Sequence, residues 1–222
     1  KTLEEPPAHA VFVLATTEPQ KLPATVLSRC QRFDFKRIRA GVLEKRLREI
    51  LDAQKTPFEP AALRLIARAA EGGMRDAISL LDLCLSYADG TLAESQVLSV
   101  LGASPRGFLM DFAAALLAGD AAAALGLLDA ALRDGRDPML LMKDVTGYFR
   151  ELLLAQICPG ELEELLEITA EDAESLREQA AAAKQEALTR RMELFMRAEA
   201  DAKWASQPRA VLELSAVRAC RP

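Results

Sequence analysis

Residues 104–159 read SPRGFLMDFAAALLAGDAAAALGLLDAALRDGRDPMLLMKDVTGYFRELLLAQICP, and this stretch decides the fold. Ser104-Pro105 has the form of a helix start: a Ser hydroxyl accepts from otherwise orphaned amides, and Pro at the first helical position has no N–H to leave unpaired. Helices are predicted at about 105–118, 120–134 and 138–158, with Gly135 stopping the second, Asp137-Pro138 starting the third and Pro159 stopping it. Beyond it, helices are predicted at about 160–168, 170–204 and 207–220. The stretch 170–204 starts with Thr169 as cap and Asp172 three residues on, a variant of the capping box. It is longer than a globular helix usually runs, so a hidden break is expected near Ala180–Lys184.

Towards the amino terminus the helical pattern continues back to Ala40. Leu43, Leu47, Ile50 and Leu51 repeat at helical spacing as far as Thr56-Pro57. Glu59-Pro60 opens a second helix through Leu63, Ile66 and Ala70, ended by Gly72-Gly73. A third runs from about Met74 to Tyr87, and a short fourth ends at Leu101 before Gly102. Only the first segment reads as α/β. Lys1–Glu5 has the form of a last helical turn stopped by Pro6-Pro7. Ala10–Ala15 (AVFVLA) reads as a strand covered on both faces, Thr25–Arg29 as a short helix, and Phe33 and Phe35 as alternating positions of a half-buried strand. Two strands cannot build a sheet domain, so a further portion is expected upstream of Lys1. The fold class is mainly α, with an α/β remnant followed by two helical domains.

Of 222 residues, 50% are hydrophobic and 27% charged, enough to bury a core and too few charges for wholesale disorder. Aromatics are only 5%, which favours helices packed through small and aliphatic side chains. The net charge of −5 argues against a nucleic-acid footprint over the whole chain. Cys30, Cys84, Cys158 and Cys220 are scattered, and the single His adds little, so no metal site is expected. Reduced, mostly buried thiols are the reading for all four. No apolar run approaches the roughly 20 residues of a membrane span.

Three short segments could carry chemistry. Thr16 and Thr17 end the apolar run, where a hydroxyl either caps the strand or orients a water against a phosphate. Arg29, in Ser28-Arg29-Cys30, either complements the dipole of a short helix or offers a planar, permanently charged fork to phosphates of a neighbouring subunit. Arg75 falls in the first turn of a helix, where the dipole disfavours a cation by a few tenths of a kcal/mol. Asp76 either offsets that cost, or Arg75 reaches out from behind Gly72-Gly73 towards an anion.

Together these segments are more specific than apart. The run KTLEEPPAHAVFVLATTEPQKLPATVLSRCQRFDF (1–35), RAAEGGMRDAISLLD (68–82) and QPRAVLELSAVRACRP (207–222) resemble the γ/τ family of bacterial DNA polymerase III, the clamp-loader AAA+ ATPases. The resemblance is dense over residues 1–90 and thinner but continuous to the end. It implies an AAA+ core remnant at 1–38, a helical lid at 39–103 and a helical collar at 104–222. It also implies sensor 1 at Thr17 (Thr16 as second choice), an arginine finger acting in trans at Arg29, and sensor 2 at Arg75.

The parent protein would use ATP and Mg to load a sliding clamp onto primer–template DNA, within a nucleotidyltransferase complex in the bacterial cytoplasm at the nucleoid-associated replisome. Its partners would be δ, δ′ and further γ/τ copies. No G-x-x-x-x-G-K-[ST] occurs in the chain, so no bound cofactor and no ATP hydrolysis are expected of it alone. The family's zinc-binding cysteines would lie upstream, and none of the four here stands in for them. Two rivals remain open: a non-enzymatic helical scaffold, and another AAA+ DNA-processing motor, which the SRC triplet beside LATTEPQ argues against.

Overall fold

The structure, a computed structural model, describes residue 5 and residues 7–221. It divides into two compact units, Lys1–Arg37 and Ile38–Pro222. The expected helix end at Lys1–Glu5 lies outside the described residues except for Glu5.

Among its described residues the first unit holds a 3-10 turn, Pro19–Lys21, and a short helix α1, Ala24–Leu27. The strands expected at Ala10–Ala15 and around Phe33 and Phe35 do not form, and there is no strand among the described residues. Val11, Val13, Phe33 and Phe35 are instead exposed. The reason is the one that makes β-structure non-local: a strand needs hydrogen-bonding neighbours on its edges, and its apolar faces need layers to cover them.

The second unit is helical throughout, as its periodicity predicts: α2 (Ala40–Gln54), α3 (Pro60–Ala69), α4 (Met74–Ser86), α5 (Glu94–Leu101), α6 (Arg106–Ala118), α7 (Ala121–Arg133), α8 (Pro138–Ile157), α9 (Leu162–Leu166), α10 (Ala170–Ala181), α11 (Gln185–Ala202) and α12 (Pro208–Ala219). The break expected inside 170–204 separates α10 from α11. Thr169 caps α10, accepting from the Asp172 amide at 3.2 Å and donating its hydroxyl to the Asp172 carboxylate at 2.9 Å. Asp137 starts α8 by accepting from the amides of Met139 and Leu140. Ser104 does not cap α6. Its backbone amide donates to Asp144 on α8 at 2.7 Å, and the helix begins after Pro105.

The unit contains two apolar clusters. Helices α2–α5 bury Leu43, Leu47, Leu63, Ile66, Leu81 and Val97 around one centre. Helices α6–α12 bury a larger one, with α8 at its middle and α11 packed along it. Phe195 lies 6.2 Å from Phe112 and 6.4 Å from Phe149, ring centre to ring centre, so α6, α8 and α11 meet on three aromatic rings. Cys84 and Cys220 are buried within these clusters, whereas Cys30 and Cys158 are partly exposed, so the thiols are less uniformly buried than expected. Burial pushes both the Cys84 and the Cys220 thiol up. No single described helix is long and apolar enough to cross a membrane.

Arg191 is buried in the larger cluster without a carboxylate. It donates to the Leu116 carbonyl in the last turn of α6 at 3.0 Å and to the Ala187 carbonyl at 2.9 Å. The negative end of α6 thus takes the place of a counter-ion. Burial, aided by neighbouring Arg190, lowers the Arg191 pKa from its ordinary value.

Because the clusters are separate, damage to one is expected to stay local. Phe195→Ala should cost about 3–5 kcal/mol in the larger cluster. Hydrogen exchange should then show loss of protection in α6, α8 and α11 while α2–α4 keep theirs; equal loss in both would contradict this division.

Candidate functional site

Each expected site residue owes its placement to a local device. Thr16 and Thr17 are both exposed, just before the 3-10 turn. The Thr16 hydroxyl accepts from the Glu18 amide at 3.0 Å, and Glu18 in turn pairs with Lys21 at 2.8 Å. That is a Ser/Thr turn, and it occupies the Thr16 oxygen locally. Thr17 makes no hydrogen bond with the described residues, which leaves its hydroxyl available.

Arg29 follows α1, whose carboxyl end is closed by Ser28. Its guanidinium donates to the Thr25 carbonyl at 2.7 Å and to the Ser28 hydroxyl at 3.3 Å. The cation therefore complements the end of its own short helix, as the dipole reading anticipates. The side chain is nevertheless exposed. Local anchoring and outward presentation are compatible, because Arg has five donors.

Arg75 belongs to the second unit. The chain leaves α3 through two successive residues of positive φ, Glu71 at 47° and Gly72 at 89°. Gly73 then precedes α4, with Asp76 folded so closely over it that a Cβ at this position would collide with the carboxylate. The Gly72 carbonyl accepts from the Ile38 amide at 3.1 Å, which ties the turn to the lead-in of α2. Arg75 lies in the first turn of α4, exposed, with no hydrogen bond or ion pair to the described residues. A cation without a carboxylate partner at a helix start, beside amides that also favour anions, suits a phosphate or another anion.

These three positions do not form one site within a single unit. Thr16, Thr17 and Arg29 belong to the first and Arg75 to the second. No group of three or more potential metal ligands is found among the described residues.

One cluster escapes sequence reasoning. Glu151 on α8 is buried, only 9% exposed, and its carboxylate accepts from Arg68 of α3 at 2.8 Å and from Arg106 of α6 at 3.2 Å. Arg106 also pairs with Asp172 at 3.3 Å and lies over the Tyr148 ring. A signal was present in the sequence: Glu151 stands among Tyr148, Leu152 and Ala155, on the apolar face of its helix. Arg68 and its neighbours line a cleft of about 880 Å³, with Arg39, Arg64, Glu164 and Glu167 among the other walls.

Comparison with known proteins adds an independent observation. Residues 92–222 match the family of DNA polymerase III subunits gamma and tau, domain III. Residues 42–90 match the ATPase lid domain of the DNA polymerase III clamp loader subunit, and residues 1–39 the DNA polymerase III delta subunit. DNA polymerase III subunit tau of Bacillus subtilis is 40% identical over 221 residues, taking in 100% of this chain and 39% of that protein. The tau subunit of Escherichia coli is 36% identical over 162 residues, 73% of this chain and 25% of its own length. The gamma/tau subunit of Mycobacterium tuberculosis is 32% identical over 224 residues, 100% of this chain and 39% of its own. A solved structure of a Bacillus subtilis DNA clamp loader delta protein aligns with the whole chain and 69% of its own, with a TM-score of 0.49 and 14% identity, a level that does not bear on the fold. The chain spans at most 39% of the length of these curated relatives. With more than half of its residues under the gamma and tau model, and an unbroken likeness to one tau subunit from end to end, this protein belongs to the DNA polymerase III gamma/tau family.

Proposed function

We propose that this chain is the nucleotide-sensing and assembly portion of a clamp-loader ATPase. Residues 1–38 are read as the end of an AAA+ core, 39–103 as its lid and 104–222 as the collar that holds subunits together. In the whole protein, ATP and Mg occupy a cradle supplied by residues outside this chain. Thr17 faces the γ-phosphate as sensor 1, Arg75 reaches the nucleotide from the lid as sensor 2, and Arg29 serves the nucleotide of the adjacent subunit. The partners are δ, δ′ and further γ/τ copies, with the sliding clamp and primer–template DNA as substrates, in the cytoplasm at the replisome.

The observation that carries this reading is Arg75. Its first-turn position is electrostatically unfavourable and Arg75 itself pairs with no described carboxylate, although Asp76 shares the turn, and it lies on a segment matched by the ATPase lid family. A bound phosphate turns that cost into a gain, since charge-assisted bonds to phosphate are among the strongest a side chain makes. Among the hydroxyls, Thr17 is favoured over Thr16 because Thr16 is engaged by the Glu18 amide.

Three outcomes are expected in the full-length protein assembled with its partners. Arg75→Ala should weaken ATP binding by roughly 10- to 100-fold, the loss of one charged hydrogen bond; unaltered binding in a titration would remove Arg75 from the site. Arg29→Ala should leave binding intact and slow ATP turnover by about 10³-fold, the low end for a finger supplied in trans, and unchanged turnover would rule that role out. Thr17→Val should slow hydrolysis while Thr16→Val leaves it near the parent rate; the reverse order would reassign sensor 1.

A further inference from the structure

The two cores of residues 38–222 share no buried apolar side chain, and none of the extensive helix packings joins them. Hydrogen bonds and ion pairs join them at several points. At one end, residues 102–104 lie against α8 and the turn before it: the Ser104 amide donates to Asp144 at 2.7 Å, and Arg136 donates to the Ala103 carbonyl at 3.1 Å. Gly102, at φ 65°, closes α5 in the left-handed region, and a Cβ there would press on Leu140. Seven residues further along α8, about 10 Å on, Glu151 takes Arg68 from the first core. At the far end, the Glu167 carboxylate accepts from the Ala40 amide at 3.0 and 3.1 Å, so the second core caps the start of α2. The cleft lies along this seam.

We infer that Glu151 is an ionic latch across this seam, and that the first core swings on residues 102–104 when the latch releases Arg68. The partners of Glu151 are unequal. Arg106 is fixed on the second core by Asp172 and by the Tyr148 face as well as by Glu151. Arg68 comes from the first core, is more exposed, and has Glu151 as its partner. A buried carboxylate with one partner would be stranded when that partner left, at heavy cost. Glu151 has two, so Arg68 can leave while Arg106 keeps the carboxylate neutralised. Opening the joint thus costs the Arg68–Glu151 pair, whose cation is the solvent-accessible side, together with the Glu167 bonds to the Ala40 amide. The latch requires nothing of Arg75 and stands or falls apart from the nucleotide reading.

The test uses the 222-residue chain with Cys30→Ser and Cys158→Ser, spin-labelled at Gln54→Cys on α2 and Glu186→Cys on α11. The parent should give a narrow inter-label distance distribution at low salt that broadens in about 1 M NaCl, where the screening length falls to about 3 Å. Arg68→Gln should broaden it already at low salt, raising the ratio of open to closed molecules by about 1.4- to 5-fold, as expected for an accessible pair. Its melting temperature should stay at the parent value, because Glu151 remains paired. Glu151→Gln should open the joint equally and melt lower, since Arg106 loses its buried partner. A parent-like distribution for Arg68→Gln at low salt, or a distribution indifferent to salt in the parent, would overturn the latch.

Discussion

Leu43, Leu63, Ile66 and Leu81 close one apolar centre; Phe112, Phe149 and Phe195 anchor another; and no buried apolar side chain belongs to both. That separation is the constraint from which the rest follows. Burying a large aliphatic or aromatic side chain contributes about 1.5–3 kcal/mol, so each cluster supports its own helices. The seam between them is crossed by carboxylates, guanidinium groups and backbone amides. Contacts of that kind orient two bodies without welding them. Most of the first core falls under the ATPase lid model, and the whole of the second under gamma and tau domain III.

Buried charge is handled in two ways, and both use what the helices already provide. Glu151 is neutralised twice, by Arg68 and Arg106. Arg191 has no carboxylate and is set against the carbonyl end of α6. In each case the desolvation of an ion is offset by hydrogen bonds whose geometry the backbone fixes beforehand. Asp144 is a milder version: burial raises its carboxyl above the ordinary range, and hydrogen bonds from Ser104 with the charges of Lys143 and Arg136 work against that shift.

Much of the helical order was legible. Asp137-Pro138, Thr169 with Asp172, Gly102 and the break between Ala181 and Gln185 all appear where local chemistry puts them, because caps and stops are decided by neighbours within a turn. Ser104 was misread for the same reason in reverse. Its surroundings offer a cap, but its amide is drawn to Asp144, 40 residues away. Ala10–Ala15, Phe33 and Phe35 carry strand-like patterns that this chain does not pair into a ladder. Of the candidate residues, Arg75 and Thr17 keep uncommitted polar groups, whereas Thr16 and Arg29 are also engaged by their own turns.

What the residues determined unaided was everything set by spacing and local bonding: a mainly helical chain, its breaks, and two apolar stretches able to close separate cores. Only the tertiary structure decided that Glu151, Arg68, Arg106 and Asp172 meet, and that Glu167 caps α2 across 127 residues of chain. Periodicity places a side chain on a face of its own helix and says nothing about which distant face lies opposite. That choice is made by packing, where each buried ion takes the partners that least leave it exposed to low dielectric alone.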